Sequence, residues 1–136
     1  MKRLLLALLL PIVGAAHAQP ALPVSKSLWG ASGERVEAWV LRAPGFTRAR
    51  ARSAENTTFV TYDRVSGGNE AVVYGFENDS LVQVSRIVFA AEAARYGPLA
   101  GWESVGTNEW LVPAENIWIR RIYDGQFIRD TMRRIR

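Results

Sequence analysis

The chain has 136 residues, a formal net charge of +4, 49% apolar residues, no cysteine and one histidine. The totals read as a small basic domain. They exclude intrachain disulfides and any thiolate metal site, and they leave one imidazole for acid–base work.

Lys2 and Arg3 precede an apolar stretch over residues 4–13, Pro11 interrupts it, and Ala16-His17-Ala18 follows. A basic head, a leucine run and small residues at −3 and −1 predict a secretory signal peptide over 1–18, cut after Ala18. Spanning a bilayer takes roughly 20 apolar residues, so the run is too short for an anchor. The expected mature part, 19–136, is one periplasmic domain without a transmembrane segment, and no cysteine opens it to carry a lipid. Removing the signal lowers the net charge to +2 and takes away His17, the sole histidine. Zinc and copper sites, Ser–His–Asp triads and Cys–His pairs are then closed to the mature chain. Its 118 residues still suffice to fold on a hydrophobic core as a single domain.

Residues 19–28, with two prolines, read as an irregular lead-in. Ser32 is placed as the N-cap of a helix in which Val36, Trp39, Val40 and Ala43 form an i, i+3, i+4, i+7 stripe, and Ala43-Pro44-Gly45 stops it. Residues 46–53 alternate at a spacing of two, which puts Arg48, Arg50 and Arg52 on one face of a strand. Strands follow at 56–64, 70–77 and 81–90, joined by the turn signals Ser66-Gly67-Gly68-Asn69 and Asn78-Asp79. Residues 90–96 are alanine-rich and predict a short helix ended by Gly97-Pro98. Segments 102–106, 108–112, 115–124 and 126–134 read as further strands, and Asp124-Gly125 is the strongest hairpin signal in the chain. The order helix–strands–helix–strands predicts an α+β fold. It is expected to hold two weakly similar helix-then-antiparallel-strands halves, with helices packed on one face of an antiparallel sheet.

Gly30-Ala31-Ser32-Gly33-Glu34-Arg35-Val36 resembles the Gly-x-Ser/Thr-x-x-Glu-Val helix start of small secreted envelope proteins. These include the small lipoprotein of the outer-membrane β-barrel assembly machinery and domains similar to the β-lactamase inhibitor protein. Residues 76–82 (FENDSLV), then Tyr96-Gly97-Pro98 and a later tryptophan, are similar in order to such modules. The resemblance implies a helix-then-sheet layout and a protein-binding role. Arg35 stands where the capping-box acid usually lies, and the lipid-bearing cysteine is missing, so lipid anchoring is not implied.

Trp110 and Trp118 fall on successive strands. Facing solvent beside Arg120, Arg121 and Tyr123, they would make the aromatic–arginine patch enriched in protein interfaces; in a central sheet face they would be core. Residues 119–136 carry a net charge of +4, while 19–118 carry −2. The basic end, with Arg129, Arg133, Arg134 and Arg136, suits anionic lipid, lipopolysaccharide phosphates or an acidic protein; a solvated strand end gives the same pattern. Nucleic acid is not expected as a partner of an exported chain of such modest charge. Carboxylate pairs such as Glu103 with Glu109, or Glu70 with Glu77, are of the type that cleaves glycosidic bonds, but spacing alone fixes no geometry. No catalytic residue, cofactor or metal ligand is assigned. The expected function is a non-enzymatic, exported protein-binding module of the cell envelope, the alternative an inhibitor or immunity protein for an envelope hydrolase. A carboxylate-dependent glycan-acting enzyme is the third reading.

Overall fold

The β-branched and aromatic runs form eight strands in a computed structural model that describes residues 21–65 and 69–136. The predicted signal peptide and the turn residues Ser66, Gly67 and Gly68 lie outside the described residues. The strands are β1 (Phe46–Ala54), β2 (Thr57–Arg64), β3 (Ala71–Glu77), β4 (Ser80–Phe89), β5 (Glu103–Gly106), β6 (Glu109–Val112), β7 (Ile117–Asp124) and β8 (Phe127–Arg134). They form one antiparallel sheet in the order β1-β2-β3-β4-β8-β7-β6-β5. The chain thus runs through one four-stranded meander, crosses the sheet, and returns through a second whose last strand pairs with β4.

The expected α+β fold, with helices packed on one face of the sheet in two halves, is overturned. Strand accounts for 51% of the described residues. Among the described residues, the only helical segments longer than a single turn are α1 (Gly33–Val40), of eight residues, and a 3-10 segment (Ala90–Tyr96) of seven. Pro44 and Gly45 end the first after two turns. Gly97, at φ 116, and Pro98 end the second before α-helical bonding is established. The apolar stripe at 36–43 and the alanine-rich run at 90–96 both favour helix, but neither run is long enough to make a layer.

Register decides which face is core. Val60, Tyr62, Val72, Tyr74, Ile117 and Ile119 point to one side and pack with Leu28, Val36 and Val40 of the lead-in and α1 in one cluster. A smaller cluster of Val88, Tyr96 and Ile128 continues it under the 3-10 segment. Ile117, Ile119, Ile128 and Met132 are fully buried, each worth about 1.5–3 kcal/mol relative to exposure. The lead-in is tied down by side chains from this face: Tyr74 OH donates to the Pro23 carbonyl at 2.6 Å and Arg86 Nη1 to the Ala21 carbonyl at 3.0 Å.

Tight turns carry the conformations their residues favour. Asn78 and Asp79 both take positive φ, 50° and 57°, the signature of a type I′ hairpin turn. Asp79 also accepts a hydrogen bond from the Gly33 amide at 2.9 Å, while Ser32 Oγ accepts from the Arg35 amide at 3.3 Å. Two caps therefore fix the start of α1, one local and one from the β3–β4 turn. No helix among the described residues is long and apolar enough to cross a membrane.

Candidate functional site

Strand pairing assigns every second residue to the face that α1, the lead-in and the 3-10 segment leave uncovered. Thr61, Val73, Ser85, Thr131, Arg120 and Glu109 form one row across six strands. A parallel row holds Phe59, Gly75 and Gln83 and continues through Arg133 to Trp118, directly opposite each other on β8 and β7. Arg129 lies between Ile87 and Ile122 in a third row. Thr61 and Ser85 are each only 6% exposed although no helix among the described residues covers them, so the larger side chains around them stand above a small polar centre.

Local contacts hold this surface in place. Phe59 sits over Gly75, where an added Cβ would approach its ring to 3.3 Å; the glycine clears the space the ring occupies. Arg133 Nη2 donates to Gln83 Oε1 at 2.7 Å, and the Arg52 guanidinium lies 5.5 Å from the Phe59 ring centre. At one end of the face an open groove of about 800 Å³ is lined by Thr57, Phe59, Gln83, Arg133, Arg134 and Arg136, among others. Glu77 is its one carboxylate against three guanidiniums, so the groove favours an anion. At the opposite end Phe89 and Phe127 stack at 5.1 Å, beside exposed Ile122.

The structure divides the eight predicted site residues. Trp118, Arg120, Arg129 and Arg133 share the uncovered face. Tyr123 and Arg134 have the other parity but stand exposed at opposite ends of the β7–β8 hairpin, opposite Ile128 and Ile117 respectively, and Arg134 joins the groove. Trp110 and Arg121 do not belong to the patch: they are 8% and 5% exposed and face the core. Arg121 holds Asp130 through two bonds, Nε–Oδ1 at 2.7 Å and Nη2–Oδ2 at 3.0 Å. Its Nη1 donates to the Gly97 carbonyl at 2.9 Å, and its guanidinium lies 5.3 Å from the Trp110 ring centre. Burial pulls the Arg121 pKa down, but the hydrogen bonds and charge of Asp130 more than offset this and the net shift is upward.

A second correction concerns β1. Arg48, Arg50 and Arg52 do not share a face, because the register shifts between Arg48 and Arg50. The bulge sends Arg48 to the side of Tyr62, where it approaches Glu37 at 3.9 Å, and leaves Arg50 and Arg52 on the uncovered face.

Among the described residues no group of three or more His, Cys, Asp or Glu is placed to hold a metal ion. Glu70 and Glu77 are seven positions apart, roughly 23 Å along a strand at its usual rise and well beyond the ~10 Å of a glycosidase pair. Glu103 lies on the short edge strand β5 and Glu109 on its neighbour β6, and neither lines this groove. No family model, curated protein or solved structure matches the chain.

Sequence reasoning missed Phe59, Thr57 and Gln83. A phenylalanine within a strand reads as core, and only the pairing of Phe59 with Gly75 shows it to lie on the uncovered side.

Proposed function

We propose that the chain is an exported, non-enzymatic binding module of the cell envelope that grips a protein partner with the uncovered face of its sheet. The observation that carries this reading is the continuous field of Trp118, Arg120, Arg129 and Arg133, flanked by Phe59 and Ile122, on a face that no element among the described residues covers. Aromatic and arginine side chains around a small polar centre are the composition of interface anchors. Three guanidiniums in the adjoining groove favour a partner that presents carboxylates there. The predicted leader and the resemblance to small envelope modules support the same compartment and binding style.

The test is capture of crosslinked partners from periplasm with the wild-type protein and with Trp118→Ala/Arg133→Glu. The reading expects one discrete partner, lost in the variant while its circular dichroism and melting stay unchanged. Equal recovery by both proteins, or none by either, contradicts it.

A further inference from the structure

On the other side of the sheet a cleft of about 420 Å³ opens between α1, the lead-in and the neighbouring ends of β2 and β3. Its walls are apolar: Leu22, Trp39, Val40, Phe46 and Val72, with Tyr74 among them. The lead-in wall is fixed by a buried hydrogen bond from Tyr74 and a half-buried one from Arg86 to its carbonyls, so the cleft is a built feature of the core face. Its volume falls within the usual range for small-molecule sites, about 300–1,000 Å³.

Charge at the cleft is lopsided. Arg42 and Arg64 line it with Glu70. Glu70 Oε1 takes Arg64 Nε at 3.1 Å, with the Glu70 side chain 6% exposed, and the Arg64 guanidinium lies 4.4 Å from the Phe46 ring centre. Glu70 also acts on buried Arg86, whose pKa burial lowers and the Glu70 charge raises. The single carboxylate is thus held by Arg64, while Arg42 is exposed and makes no ion pair among the described residues.

We propose that this cleft binds a small monoanionic amphiphile, one carboxylate on a compact apolar body. The body lies against Trp39, Val40, Phe46 and Val72, and the carboxylate meets Arg42 and the Nη end of Arg64. At roughly 30 Å³ per water-sized group the space holds on the order of fourteen non-hydrogen atoms, the size of a medium-chain fatty acid. A cation in the same place would face two guanidiniums, and a neutral alcohol would leave Arg42 without a counter-charge.

Decanoate, decan-1-ol and decylamine are titrated into the purified protein below their micelle concentrations, reading tryptophan fluorescence and the indole signal of Trp39 by NMR. The inference expects saturable decanoate binding that moves the Trp39 indole, with the alcohol and the amine about tenfold weaker or worse. Ala43→Trp, which fills the cleft, and Arg42→Gln, which is exposed and leaves the fold intact, each weaken decanoate by about tenfold. Arg133→Ala, on the other face, leaves it unchanged. Similar affinity for all three compounds, indole shifts at Trp118 instead of Trp39, or no binding at all overturns the inference. None of these outcomes bears on the proposed protein interface, which lies across the sheet.

Discussion

Arg120 and Arg121 are consecutive residues of β7 and lie on opposite sides of the sheet. Arg121 is 5% exposed, locked onto Asp130 and bonded to the Gly97 carbonyl; Arg120 is exposed, opposite Thr131 on one side and Glu109 on the other. The same guanidinium chemistry therefore holds the structure on one face and is free to meet a partner on the other. Charge in this protein carries no functional meaning until the face is known.

The largest effect expected from breaking this contrast is on the buried side. Asp130→Ala leaves the Arg121 charge buried without its carboxylate and should cost about 3–5 kcal/mol in urea denaturation. Replacing the pair together, Arg121→Met with Asp130→Leu, should regain most of that loss, since apolar isosteres remove the charge that needs pairing. A single variant as stable as wild type would show that the pair is solvated.

Next in size is a matched comparison of isoleucines on one strand. Ile119 is fully buried and Ile122 is 45% exposed. Ile119→Ala should cost about 2–5 kcal/mol and Ile122→Ala about 0.5 kcal/mol or less. Equal costs would mean that the uncovered face is itself packed.

Alkaline pH probes the core face through its tyrosines. Burial, with a hydrogen bond to Glu37, raises the Tyr62 pKa; burial raises those of Tyr74 and Tyr96 as well. The proton is held more tightly in the folded than in the unfolded chain. The associated stability is therefore whole below pH about 10, the ordinary tyrosine value, and is lost as pH rises above it. Phenolate absorbance should appear for these three only together with loss of tertiary structure. Their ionisation in a still-folded protein would contradict their burial.

The smallest effects belong to the uncovered face. Arg120→Ala and Arg129→Ala should shift stability by no more than about 0.5 kcal/mol in thermal melts. Larger losses would assign these arginines a structural role.

Much of this contrast was written in the sequence. Ser32 and the Pro44-Gly45 stop bracket α1, and Asn78-Asp79 and Asp124-Gly125 mark hairpins that form. The second turn does more: with Asp124 opposite Phe127, register places Arg121 opposite Asp130 and Ile119 opposite Met132. The buried pair was therefore readable from a two-residue loop. The opposed placement of the tryptophans was also latent, because Trp118 alternates with Ile117 and Ile119, both fully buried. Two features were not readable. The bulge at Ala49 leaves no mark on a run of alternating Arg and Ala, whose spacing alone puts the β1 arginines on one face. The pairing of β4 with β8 joins residues 38 to 48 positions apart, and without it the helical runs read as half of a two-layer fold.

The claim that the uncovered face is the working face is tested most directly by a photo-crosslinking amino acid placed in producing cells. Thr131 and Trp118 sample that face, and Glu34 and Leu41 sample the surface around α1. The account predicts one discrete adduct from Thr131 and Trp118 and none from Glu34 or Leu41. The same adduct from all four positions, or adducts from the α1 side alone, would contradict it.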